Sequence, residues 1–158
     1  MNYQLLPEFG VPVGATFPLD NLVDPTGNQL QKKQLLGKRL LINFYTIYCA
    51  PCIKEVPKLN QIKNRRDDIN VLAITSDSAA TAAAYVKKYG LNWPIAANAR
   101  ALLFDQLDVQ AFPAFALLDA DGRLLATVQA NQLGGEDGHA TVDGIEAWID
   151  AHEAAKAD

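Results

Sequence analysis

The hydrophobic positions change period several times along the chain, and each change marks an element. Leu40-Leu41-Ile42-Asn43-Phe44-Tyr45 is a short, almost wholly apolar run, which reads as a strand buried on both faces. Asn70 to Thr75 (NVLAIT) and Ala114 to Leu118 (AFALL) repeat that pattern. From Cys49 to Arg66 the spacing becomes helical. Ile53, Val56, Leu59 and Ile62 share one face, with Lys54, Lys58 and Lys63 elsewhere. Pro57 falls inside this stretch and is expected to interrupt and kink it. Ala79 to Tyr89 predicts an alanine-rich helix with Ala82, Tyr85, Val86 and Tyr89 on one face, stopped at Gly90. Ala101 to Leu107 predicts a short helix. Val142 to His152 predicts a final amphipathic one, with Ile145, Trp148 and Ile149 inward.

The remaining segments read as connections. Met1 to Thr16 carries Pro7, Gly10, Pro12 and Gly14 and is expected to be a loose lead-in. Phe17 to Val23 alternates weakly, and Asp24-Pro25-Thr26-Gly27 is a turn. Gln29 to Leu36 then predicts a short strand and a helical turn closed by Gly37. Asp119-Ala120-Asp121-Gly122 is a hairpin turn, with Arg123 to Val128 as its return strand. Gly134, Gly135 and Gly138 mark a loop. Strands alternating with helices imply parallel pairing, and the hairpin adds antiparallel strands. The expected fold class is therefore α/β, a central mixed sheet with helices on both faces. One domain is expected over residues 17–152, with a tail at 153–158.

Composition narrows the function classes. The 158 residues are 49% hydrophobic and 20% charged, enough to bury one core and too apolar for a disordered chain. A net charge of −4 argues against a nucleic-acid backbone binder, which would be basic. No apolar run reaches the roughly eighteen residues of a membrane-spanning helix. Met1 to Pro12 lacks a basic region followed by an apolar core, so it does not read as a signal peptide. The chain is either made without one or shown in a mature form.

The two cysteines, Cys49 and Cys52, carry the candidate chemistry. They are too few for a disulfide-stapled scaffold. His139 and His152 are far downstream and not at zinc-finger spacing, so no metal or other cofactor is expected. The pair sits where an apolar strand gives way to a helix. Free N–H groups and the positive end of the helix dipole stabilise a thiolate there, which lowers the Cys49 thiol pKa and makes Cys49 the expected nucleophile. Cys52, one turn on, is the expected resolving thiol. Pro51 fits the first helical turn and stiffens the loop.

Placed in order, these motifs resemble the thioredoxin-fold TlpA/ResA-like thiol-disulfide oxidoreductases. The resemblance rests on Gly37-Lys38 before Leu40 to Phe44, on Cys49 with its CxxC, and on Cys52-Ile53-Lys54-Glu55-Val56-Pro57. It rests also on Phe112-Pro113 before Ala114 to Asp119. It runs from about Phe17 to Ile149 and implies a thioredoxin-like sheet with an amino-terminal β-hairpin extension, Leu22 to Gly27. It implies that Pro113 is a cis-proline facing the disulfide, with the backbone beside it pairing to an extended substrate chain. It implies that Glu55 takes up or releases the proton of Cys52; a solvated helix glutamate is the alternative. Tyr48, Ala50, Pro51 and Phe112 would form the substrate-facing surface. Tyr48 and Tyr45 stand where the family usually has tryptophan, Phe112 where a smaller residue is common, and Asn43 where thioredoxin carries a buried aspartate.

The implied activity is reduction of disulfides in partner proteins through a mixed disulfide, supplied by an upstream electron donor, by a monomer outside the cytoplasm. Apocytochrome c thiols, a metallochaperone and misoxidised proteins all suit the family as substrates. The cytoplasm is the alternative if Met1 is the native start. Two other functions compete. A thiol peroxidase is suggested by Thr46, three residues before Cys49, although Ile42 stands where its proline would be and Arg100 and Arg123 are distant in sequence. A non-catalytic copper(I) or thiol-binding module could use the same two sulfurs.

Overall fold

A computed structural model describes residues 3–153; most of the expected tail, 154–158, lies outside the described residues. The elements in chain order are α1 (Lys32–Leu35), β1 (Arg39–Tyr45), α2 (Ala50–Arg65), β2 (Ile69–Thr75), α3 (Ala79–Tyr89) and β3 (Ile95–Ala96). A π-helical turn (Ala101–Gln106), β4 (Ala114–Leu118), β5 (Leu124–Gln129), a 3-10 turn (Ala130–Leu133) and α4 (Val142–Ala151) complete them. The five strands form one sheet in the order β3-β2-β1-β4-β5. β1, β2 and β3 run parallel, while β4 and β5 run antiparallel. The sheet is therefore mixed, as expected.

Side chains on a strand alternate between faces, and β1 divides them cleanly. Leu41 and Tyr45 face a core shared with Cys52, Val56, Leu59 and Ile62 of α2, Ala82 and Tyr85 of α3, and Ile145, Trp148 and Ile149 of α4. Leu40, Ile42 and Phe44 face a second core built with Phe17, Leu19, Leu22, Leu35 and the π-turn residues Leu102 and Leu103. The three long helices thus cover one face, and short turns and the amino-terminal segment cover the other.

Several expectations change in detail. The lead-in is packed rather than loose. Leu6, Phe9 and Val11 lie against the second core. Gly10 passes so close to the backbone at Gln106 that a Cβ would sit 1.8 Å from its carbonyl oxygen, so only glycine fits. The opening hairpin shrinks to one antiparallel bridge, Val23 to Gln29, around the Asp24 turn. The Ala101 helix is π-helical, and a two-residue strand at Ile95 was too short to leave a periodic signal. α2 runs through Pro57 as one element. The interruption reduces to the carbonyl of Ile53, which loses its partner four residues on. Gly90 ends α3 in the left-handed conformation (φ 71°), as a helix-stopping glycine should.

Candidate active site

The register of the sheet assembles the site. β1 is the central strand, flanked by parallel β2 on one side and antiparallel β4 on the other, so the carboxyl end of β1 lies beside the start of β4. Cys49 lies four residues past that end. Phe44 pairs with Ala114 at the start of β4, so Pro113 falls at the same edge. The Phe112–Pro113 peptide is cis.

The helix caps show what Cys49 does locally. Ser78 Oγ caps α3 by accepting the Thr81 N–H at 3.2 Å, and Thr141 Oγ1 caps α4 by accepting the Gly144 N–H at 2.9 Å. At α2 a sulfur takes the same post: Cys49 Sγ accepts the Cys52 N–H at 3.2 Å. The capping atom satisfies a donor the helix leaves free, and an anion there also meets the positive dipole end. Pro51 occupies the first turn, where no N–H partner is needed.

Cys49 and Cys52 are joined as a disulfide, Cα to Cα 5.3 Å. Cys49 is 9% exposed and Cys52 only 1%, so an incoming group reaches the Cys49 sulfur first. Tyr48 is 94% exposed and Ile47 also reaches solvent, leaving an apolar lip beside the disulfide.

Glu55 is not a solvated helix glutamate. It is 1% exposed, and its Oε1 has no hydrogen-bond partner. Burial pushes its carboxyl pKa up to about 8, against a smaller opposing effect from Lys58. Glu55 also lines a cavity of about 240 Å³ with Pro51, Phe112, Pro113, Gln129 and His139. The cavity joins the predicted site residues Pro51, Glu55, Phe112 and Pro113; Tyr48 and Ala50 sit outside it. His139, read from sequence as an incidental loop residue, is part of its wall. The Lys58 ammonium fastens that loop by donating to the Ala140 carbonyl at 2.6 Å.

On the same face of the sheet as the disulfide, Asn43 Oδ1 and Tyr85 Oη are buried without hydrogen-bond partners. The Tyr45 and Tyr85 rings stack with centroids 4.5 Å apart. The arginines considered for peroxide chemistry do not converge on Cys49. Arg123 follows the β4–β5 turn at the opposite end of the sheet, and the Arg100 guanidinium lies over Phe104, 5.5 Å from its ring centroid. Among the described residues no group of three or more His, Cys, Asp or Glu gathers to hold a metal ion.

A vicinal cysteine pair capping the helix behind the central strand, with a cis-proline at the same edge of the sheet, defines the thioredoxin-like thiol-disulfide proteins. Residues 12–147 match the Redoxin family, and the chain belongs to it. It is 28% identical over 123 residues to a thiol-disulfide oxidoreductase ResA of Bacillus cereus, covering 76% of this chain and 71% of that protein. The fold is shared with a secreted Mycobacterium tuberculosis disulfide oxidoreductase homologous to E. coli DsbE. That match has a TM-score of 0.68 and 22% identity, over 84% of this chain and 96% of that one. A putative thiol:disulfide interchange protein DsbE from Chlorobium tepidum superposes with a TM-score of 0.73 and 18% identity, over 90% and 98% of the two chains. The protein is a thiol-disulfide oxidoreductase.

Proposed function

We propose that the pair runs in the reducing direction on disulfides of partner proteins, with Cys49 as the attacking thiol. The cap carries the choice of attacking thiol: the one sulfur near the surface is also the one held by a helix N–H. In the reduced enzyme the Cys49 thiolate attacks a substrate disulfide. The Cys49–substrate bond forms, and the displaced substrate sulfur leaves as a thiolate and takes a proton. Cys52 then loses its proton and attacks the Cys49 sulfur. The second substrate thiol departs, two electrons have passed to the substrate, and the Cys49–Cys52 disulfide remains. An upstream dithiol donor restores it.

Glu55 is the proposed acceptor of the Cys52 proton. It lies three residues on, one helical turn away, and burial raises its pKa to about 8, so near neutral pH its ionised fraction accepts the thiol proton and its protonated fraction can return one. Tyr48, Ala50, Pro51, Phe112 and Pro113 form the proposed docking surface. Among the described residues the Phe112 backbone makes no hydrogen bond, which leaves it free to pair with an extended substrate chain. The domain spans residues 17–152, with the packed lead-in as an adjunct. An extracytoplasmic location is supported by the secreted relative; fractionation of cells carrying the full-length chain tests it.

Cys52→Ala tests the mechanism. The variant is expected to accumulate disulfide-linked partners through Cys49, and Cys49→Ala to accumulate none. Equilibration with glutathione tests direction. A potential nearer the roughly −270 mV of thioredoxin than the −120 mV of a strong oxidant is expected; a value at the oxidising end contradicts reduction.

A further inference from the structure

The loop that presents Cys49 has a tie that the exchange chemistry does not use. The Ile47 N–H, two residues before the cysteine, donates to Asp77 Oδ2 at 2.9 Å. Asp77 belongs to the β2–α3 connection, thirty residues away in sequence. It is itself held from two sides: its N–H donates to Thr75 Oγ1 at 3.1 Å, and its carbonyl accepts the Asn98 N–H at 2.8 Å. The Ala99 N–H in turn donates to the Thr75 carbonyl at 2.9 Å. Three connections at the carboxyl ends of β1, β2 and β3 thus meet at Asp77: its half-buried carboxylate holds the first, and its backbone is held by the other two.

We propose that Asp77 is a positioning residue for the dithiol. Its carboxylate fastens the 46–49 turn so that Cys49 Sγ stays on the cap of α2, and its charge acts on the thiolate formed there. The turn is short, with the Cys49 N–H donating to the Thr46 carbonyl at 3.2 Å, so a clamp at Ile47 is transmitted to the cap. From Ile47 to Cys49 the chain spans at most about 7 Å, which keeps the carboxylate within electrostatic reach of the sulfur. The same charge bears on the hydroxyls of Tyr45 and Tyr85. Both are raised above the usual tyrosine range chiefly by burial, with Asp77 contributing to each. Glu55 also bears on Tyr85; it reaches the site from α2, whereas Asp77 reaches it from the loop.

The proposal rests on Cys49 being the attacking thiol, and the test separates the two ideas. Asp77→Asn keeps an oxygen acceptor for Ile47 and removes the charge; Asp77→Ala removes both. The reduced parent, both variants and their Cys52→Ala counterparts are titrated by pH-dependent iodoacetamide alkylation, with thermal unfolding measured alongside. Losing the charge is expected to lower the Cys49 pKa of Asp77→Asn by about 0.3–0.5 unit. Losing the clamp is expected to leave Asp77→Ala at least about 0.5 unit above the Asn variant. Turnover should fall several-fold in the Ala variant and be largely restored by Asn. Equal Cys49 pKa values in the Ala and Asn variants overturn the clamp. An Asn value equal to the parent overturns the charge effect. A parent in which Cys49 is not the low-pKa thiol overturns the underlying mechanism instead.

Discussion

On the face of the sheet covered by the amino-terminal segment and the π-turn, Thr127 is the buried polar side chain among the described residues, and its hydroxyl accepts the Leu6 N–H at 2.9 Å. On the face covered by α2, α3 and α4, oxygens of Asn43, Glu55 and Tyr85 are buried with no hydrogen-bond partner. A buried polar group left unpartnered costs about 1–3 kcal/mol. One face therefore follows the rules of a stable core, and the other departs from them at several positions around the disulfide. The departures sit on the face that also carries the Cys49–Cys52 disulfide. The apolar face holds the sheet rigid; the helix-covered face gives up some stability to keep titratable groups out of water.

Substitutions can break this division, and the largest effect belongs to the apolar face. Phe17→Ala removes a fully buried ring stacked near Phe9, centroids 6.5 Å apart, and is expected to cost about 3–5 kcal/mol. Urea unfolding should show that loss, while Cys49 alkylation of the folded protein stays unchanged.

Next comes Glu55→Gln. The Glu55 pKa is raised in the fold to about 8 from 4.5, so the folded state holds a proton that the unfolded state releases. Its contribution is fully present below the unfolded value and is lost as pH rises toward 8. Between those limits the parent should lose up to about 1.4 kcal/mol per pH unit from this group. Gln should flatten that slope in urea unfolding at pH 5, 6.5 and 8. A parallel slope in both proteins would place the carboxyl in water.

The smallest pair carries opposite signs. Tyr85→Phe removes an unpartnered hydroxyl and should be neutral or stabilising by up to about 1 kcal/mol, whereas Thr127→Val strands the Leu6 N–H and should destabilise by about 1 kcal/mol. Thermal unfolding of the two variants side by side checks the contrast.

What could be read in advance followed from local pattern. The apolar runs located β1, β2 and β4 to within a residue, because strands buried on both faces leave an uninterrupted signature. The CxxC declared itself, since its chemistry depends on strand-to-helix placement that neighbouring residues already define. The cis-proline came through resemblance rather than periodicity. Glu55 was half legible: it borders the stripe Cys52, Val56, Leu59, but a glutamate there is as compatible with solvent as with burial. The packed lead-in stayed hidden because its prolines and glycines carry no periodicity. Gly10 is required by a contact with Gln106, ninety-six positions away. Asp77 was invisible for the same reason, since a side chain acting on a backbone N–H thirty residues distant leaves no spacing to find.

The most direct test of the central claim is the pH dependence of alkylation at each cysteine of the reduced protein, resolved by mass spectrometry. Cys49 should titrate at least about one unit below the ordinary thiol value of about 8.5, and Cys52 above it. Two sulfurs titrating together near 8.5, or Cys52 reacting first, would contradict the account.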